Sequence, residues 1–195
     1  TSDGTHGGGS EYTTGVVVNS STQVQITVAA SAPTLYYYCT QHSGMGGQAN
    51  TNSTLGSSNF AGSIQSTVKA STSAGFSIVT YTGTGSNATI GHGLGISPQV
   101  YLIKRRDSGS GGTNWRVYHH KLNGGSNPEQ YNIILNSSNA ESGQSNIFND
   151  TAPTSSVFTV GTHVSVNGSS GTHVAYCFSE VAGYSKFGKY TGNGS

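Results

Sequence analysis

Apolar residues recur at every second position along much of this chain, and almost nowhere at the three- or four-residue spacing of a helix. "QVQITVA" (23–29) sets Val24, Ile26 and Val28 against Gln and Thr, the pattern of a strand with one solvated face. The same alternation predicts strands at "TLYYYC" (34–39), "GFSIVTYT" (75–82), "QVYLIKR" (99–105) and "NWRVYHH" (114–120). It continues at "QYNIILN" (130–136), "SVFTVGTHVSV" (156–166) and "THVAYCFSEVAGYS" (172–185). Gly- and Asn-rich runs such as "SGSGGTN", "LNGGSNP" and "VNGSSG" punctuate them. The last joins two β-rich runs and predicts a hairpin over 160–178. The chain reads as all-β.

Residues 49–75 are poor in apolar side chains and rich in Ser, Thr and Asn, so they read as a linker. Within it "FAGSIQSTVKA" would be an extended arm or a short docked helix. The linker divides an N-terminal piece, 1–48, from a sandwich-sized domain, 76–185. A Tyr-Thr-Gly-x-Gly-Ser motif at 81 returns at 190, which makes 186–195 the start of a further repeat and the chain a piece of a longer array.

Composition narrows the function classes. Only 8% of the 195 residues are charged, 29 are glycine, and the formal net charge is +1. That balance gives no electrostatic reason to expect nucleic acid. Lys104-Arg105-Arg106 is followed at once by Asp107 and reads as an exposed strand end. No stretch approaches the roughly 20 apolar residues needed to span a bilayer as a helix, so membrane insertion is not expected. Catalysis finds little to use. The carboxylates are scattered, and neither a Gly-x-Ser-x-Gly elbow nor a His-Glu-x-x-His pair occurs, so no enzyme is read.

One loop concentrates chemistry. "PTLYYYCTQHSGMGG" (33–47) places Cys39, His42 and Met45 at three-residue spacing after a strand, with glycines to let the chain turn. Thiolate, imidazole and thioether form the donor set of an electron-transfer copper site, and copper is the one cofactor the sequence suggests. The three side chains are expected to converge at the strand end. Such a site needs a second imidazole, and His6 is the only histidine upstream. Cys177, in "HVAYCFSEV", reads instead as a small buried hydrophobe, and no Cys39–Cys177 disulfide is expected. Other histidines carry less. His92 sits in a glycine turn, His119 and His120 should point to opposite sides of a strand, and His163 and His173 would be neighbours across the predicted hairpin.

A strand running into Cys-x-x-His-x-x-Met resembles the ligand loop of cupredoxins, with the spacing of the short amicyanin loop. The resemblance covers residues 1–50 at most, the C-terminal half of such a domain, and implies Cys39 as thiolate ligand, His42 as imidazole ligand and Met45 as axial thioether. A second resemblance runs over about 75–195. Its blocks "FSIVTYTG", "GHGLG", "W.VYH", "TAPTSSVFTVG" and "AYCF.EV.GYSKFG" look like a jelly-roll, concanavalin/laminin-G-like module found in structural proteins of marine bacteriophages. Together they imply a partial cupredoxin-like β-sandwich followed by an antiparallel jelly-roll β-sandwich.

The function so implied is a virion structural or host-adhesion protein: a tail fibre, tail-associated adhesin or capsid decoration on the particle surface. Its partners would be other virion proteins, copies of itself in a homo-oligomer, and host surface glycans. Trp115, Tyr118 and Tyr101 could supply an aromatic face for sugars, with Asn114 and Asp107 as polar partners; Trp115 as plain core is the competing reading. The alternatives are a copper-binding electron-transfer or storage protein, and a secreted or cell-surface bacterial lectin-like protein.

Overall fold

A computed structural model describes residues 9–28, 34–49, 56–107 and 114–194. The chain forms two compact units, Thr1–Ser57 and Ser58–Ser195. His6 lies outside the described residues, as do 50–55 of the expected linker.

Among its described residues the first unit holds two two-stranded sheets. Strands β1 (Val16–Ser20) and β2 (Gln23–Ile26) pair antiparallel, Val18 opposite Val24. Alternation should hide one face of this hairpin, yet Val17, Val18, Val24 and Ile26 are all exposed. Strands β3 (Leu35–Tyr38) and β4 (Gly46–Ala49) form the second hairpin, Tyr38 opposite Gly46.

The second unit is built on one eight-stranded sheet. In chain order it uses β5 (Ser57–Asn59), β6 (Ser66–Ser71), β7 (Phe76–Thr82), β9 (Val100–Arg105), β10 (Arg116–His119), β11 (Tyr131–Ile134), β12 (Ser142–Gly143) and β14 (Thr172–Phe178). Their spatial order is β12-β11-β10-β9-β14-β7-β6-β5, and pairing is antiparallel from β12 through β6. The two edges are the shortest strands, which limits the unpaired backbone offered to other chains. Over one face lies a two-stranded sheet of β8 (Ala88–Gly91) and β13 (Val157–Val160), making a β-sandwich-like second layer.

Parity explains the core between the layers. Val68, Val79, Tyr81, Tyr101, Ile103, Tyr118, Ala175 and Cys177 point in from the large sheet, and Ala88, Ile90, Phe158 and Val160 meet them. Two single-turn helices close the ends: α1 (Ser145–Phe148) with Ile147 and Phe148, and α2 (Val164–Asn167) with Val166. The Tyr81 hydroxyl donates to the Val166 carbonyl at 2.6 Å and ties α2 to the sheet. Gly62 lets the chain pass against β8: its φ is +90°, and a Cβ there would sit 2.5 Å from the Thr89 carbonyl oxygen.

Several expectations are corrected. The 160–178 hairpin does not form: β13 pairs with β8, α2 intervenes, and β14 joins the other sheet between β9 and β7. The linker assigned to 49–75 contains β5 and β6, with Ile64 and Val68 in the core, so the second unit begins near residue 58 rather than 76. Residues 186–194 belong to that unit, and Phe187 packs on Phe178 with ring centroids 6.1 Å apart. Cys177 is fully buried and both cysteines are unpaired, as expected.

Candidate functional site

The second face of the large sheet carries a continuous apolar row. By register, Ile133, Val117, Leu102, Tyr176 and Ile78 lie side by side across five strands, and Lys69 ends the row. One neighbouring row runs Lys104, Val174, Thr80, Thr67; another runs His119, Val100, Phe178, Phe76, Ser71. A sheet face left entirely to water would alternate toward polar residues at these positions. Here the aromatics are half-buried, Ile78 is 37% exposed and Leu135, beside the face, 57%.

Aromatic rings form a ribbon over this face. Trp115 stacks on Tyr176 at 6.0 Å between centroids, Tyr176 on Phe76 at 6.4 Å, and Phe76 meets Phe178 at 4.9 Å. Phe187 continues it beyond Phe178. Two bonds hold Phe187 in place: its carbonyl accepts from His120 Nε2 at 2.9 Å, and its N–H donates to Glu180 Oε1 at 3.0 Å. At the other end Lys104 Nζ sits 5.9 Å from the Trp115 ring, within cation–π range. Beyond Lys104 and Thr80 the face runs into a polar cleft of about 250 Å³, walled by Gln65, Thr67, Thr80, Thr82, Arg106 and Thr172.

The residues predicted for an aromatic face divide between the two sides of the sheet. Tyr101 and Tyr118 are cross-strand partners on the inner face, ring centroids 4.7 Å apart, with exposures of 0% and 4%. They are core, and burial pushes both phenols above their usual range, Tyr118 to about 12. Only Trp115 of the three reaches the outer face. Asn114 accepts from Asn136 Nδ2 at 3.0 Å, and Asn136 Oδ1 in turn accepts from the Trp115 N–H. That pair positions Trp115. Asp107 is committed elsewhere, accepting from Arg105 Nε and from the Thr172 N–H at 2.6 Å.

The Cys39 loop is the β3–β4 turn. The Cys39 N–H donates to the Met45 carbonyl at 2.7 Å, and Cys39 Sγ lies 3.5 Å from His42 Nδ1. Two of the three soft donors therefore meet, while the Met45 side chain is 59% exposed. Among the described residues no three His, Cys, Asp or Glu side chains gather as a metal centre.

The other histidines are structural or differently placed. His92 is fully buried; its Nε2 donates to the Thr154 carbonyl at 3.1 Å and its Nδ1 accepts from the Leu94 N–H at 3.2 Å. His119 and His120 do not diverge: β10 ends at His119, and the two rings lie 5.1 Å apart. His173 stacks on Tyr81 at 5.1 Å, and His163 caps α2, so they are not cross-strand neighbours. Sequence reasoning gave no role to Arg116, which the structure buries on the inner face. Its parity with Tyr118 was the available signal.

These features define an all-β protein whose main sheet is apolar on both sides, one face sealed and the other half-open. The chain belongs to the family described as a domain of unknown function, DUF7483, whose model matches residues 14–195 and so runs through both units. No curated protein and no solved structure matches it.

Proposed function

We propose that this chain is a non-enzymatic virion structural or host-adhesion module, with the outer face of the eight-stranded sheet as its contact surface. The observation that carries this is the aromatic ribbon Trp115–Tyr176–Phe76–Phe178, half-exposed beside a polar cleft. Rings of this kind present apolar area with little side-chain entropy to lose, and the threonine-rich cleft supplies hydrogen-bonding groups at one end. Glycan binding and docking of neighbouring particle proteins both use such a surface. On this reading the second unit is a jelly-roll module of the concanavalin/laminin-G type, set on the exterior of a particle.

Trp115 is the sole tryptophan, so its fluorescence reports on this face alone. The intact protein is titrated with host-surface oligosaccharides, and separately diluted over a wide concentration range. A saturable change in emission with saccharide supports adhesion, and a concentration-dependent change supports a structural contact. Emission unmoved in both series rejects the reading.

A second reading rests on Cys39 and His42, 3.5 Å apart, as part of a soft-metal site for copper on a cupredoxin-like hairpin.

A further inference from the structure

Arg116 is a buried cation without a counter-ion. It is 6% exposed, and among the described residues no carboxylate stands within ion-pair distance of it. Its Nη1 is well satisfied, donating to Asn132 Oδ1 at 2.7 Å and to Gln144 Oε1 at 3.0 Å. Asn132 is fixed in turn through Nδ2, which donates to the Ser142 carbonyl at 3.0 Å. The guanidinium therefore has one anchored edge. The other edge, Nε and Nη2, is different: Nε is buried and has no hydrogen-bond partner among the described residues, and Nη2 faces His163 Nε2 at 3.4 Å.

That last contact cannot be an ordinary hydrogen bond. His163 Nδ1 accepts the Ser165 N–H at 3.1 Å in capping α2, so this nitrogen carries the lone pair. Burial, and then the Arg116 charge, lower the His163 pKa below its ordinary 6.5, so the ring is neutral at pH 7 and has one proton. The proton must be on Nε2. Two N–H groups thus point at one another across 3.4 Å, with a third unpartnered N–H on Arg116 Nε beside them. Among the described residues none supplies an acceptor to these three donors, and buried donors of this kind are costly to leave unmatched.

We propose that Arg116 and His163 form the seat of an oxyanion group, a carboxylate or a phosphate. One oxygen enters between Arg116 Nη2 and His163 Nε2 and accepts from both, and the second takes Arg116 Nε. The Nε and Nη2 donors are parallel, the fork that bidentate oxyanion recognition uses. With each N–H···O bond near 2.8 Å and an angle of about 110° between them at the oxygen, the two nitrogens stand about 4.6 Å apart when occupied. Arg116 is held by Asn132 and Gln144, so the movement falls to His163, whose side chain is only half-buried.

The test is an NMR titration of the intact protein, following Arg116 Nε–Hε and the His163 ring with sodium acetate and with inorganic phosphate. Sodium chloride at matched ionic strength is the control. Saturable shifts at both residues, with half-saturation on the order of millimolar, are expected. The tighter of acetate and phosphate identifies which oxyanion the seat favours. His163→Asn keeps a capping side chain for α2 but removes the Nε2 donor, and it should weaken binding about tenfold while thermal stability without anion does not fall, since an opposed N–H is removed. Arg116→Lys keeps the charge and loses the fork, and should weaken it likewise. Shifts that grow linearly with salt, match those in chloride, or persist undiminished in His163→Asn would show an adventitious ion only and overturn the proposal.

Discussion

The Phe158 ring on the small sheet sits 5.1 Å from the Tyr101 ring on the large one, and both side chains are fully buried. Tyr81 closes on the same ring edge-to-face at 6.2 Å. This contact joins the layers: β8 and β13 alone are a two-stranded ribbon, which has little stability without a packed face.

Phe158→Ala should therefore destabilise the second unit by about 3–5 kcal/mol, since the surrounding rings cannot collapse into the void. Phe158→Leu should cost roughly half as much, in proportion to the volume restored. Denaturant unfolding followed by circular dichroism measures both. A loss under about 1 kcal/mol for the alanine variant would mean that the small sheet is not the lid of the core.

The two thiols should react in sequence. Cys177 is fully buried, and burial pushes its pKa up to about 12, so almost no thiolate exists at neutral pH. Cys39 is half-buried on a turn. A chromogenic disulfide reagent should titrate one thiol in the native protein and two in denaturant. Cys39→Ser should abolish the native reaction, and rapid native labelling of Cys177 would reveal opening of β14.

Acid should destabilise the fold through histidines. His92, His119, His163 and His173 all have pKa values lowered from 6.5, burial being the first cause in each. A depressed base is neutral in both states above pH 6.5, where its contribution is complete. As pH falls below that, the unfolded chain gains protons before the folded one does, and stability drops until each folded pKa is passed. The melting temperature should be flat from about pH 7 to 8 and fall below about pH 6.5. His92→Gln should lower the plateau, through loss of the bonds to Thr154 and Leu94, and also flatten the acid slope. An unchanged slope would remove His92 from the account.

The strands of the large sheet were legible wherever apolar and polar residues alternate cleanly, as in β7, β9, β10 and β14. β6 was not, because in "STVKAS" Ser66 occupies an inward position beside Val68 and the segment scores as polar. The run 156–166 misled for another reason: Val164 and Val166 carry the apolar spacing of Val157–Val160 past the strand, and so short a pattern does not separate strand from helix. Gly161 ends the strand there, its Cα pressed against the Asn146 backbone so that a side chain would clash. The aromatic face was half legible. Trp115 and Tyr118 are three positions apart on one strand, so period two already sends them to opposite faces, whereas Tyr176 and Phe76 join Trp115 only through register. Arg116 and His163 meet across 47 residues, a pairing that no local pattern encodes.

The β3–β4 turn gives the remaining prediction. A blue copper site needs a thiolate, two imidazoles and a weak axial ligand in trigonal array. Cys39 and His42 supply one thiolate and one imidazole, and Met45 is tied to Cys39 through its backbone carbonyl while its side chain is largely in solvent. Two ligands on an exposed turn leave Cu(II) mostly hydrated, and the thiolate bond is then neither short nor protected from oxidation. Adding one equivalent of Cu(II) to the intact protein should therefore give weak binding, no intense blue thiolate-to-copper absorption, and slow loss of the Cys39 thiol. His42→Ala should weaken even this binding, and Cys39→Ser should remove the thiol loss. An intense blue band in the wild type that Cys39→Ser abolishes would require a second imidazole from outside the described residues. It would restore the copper-site reading that the spacing of Cys39, His42 and Met45 first suggested.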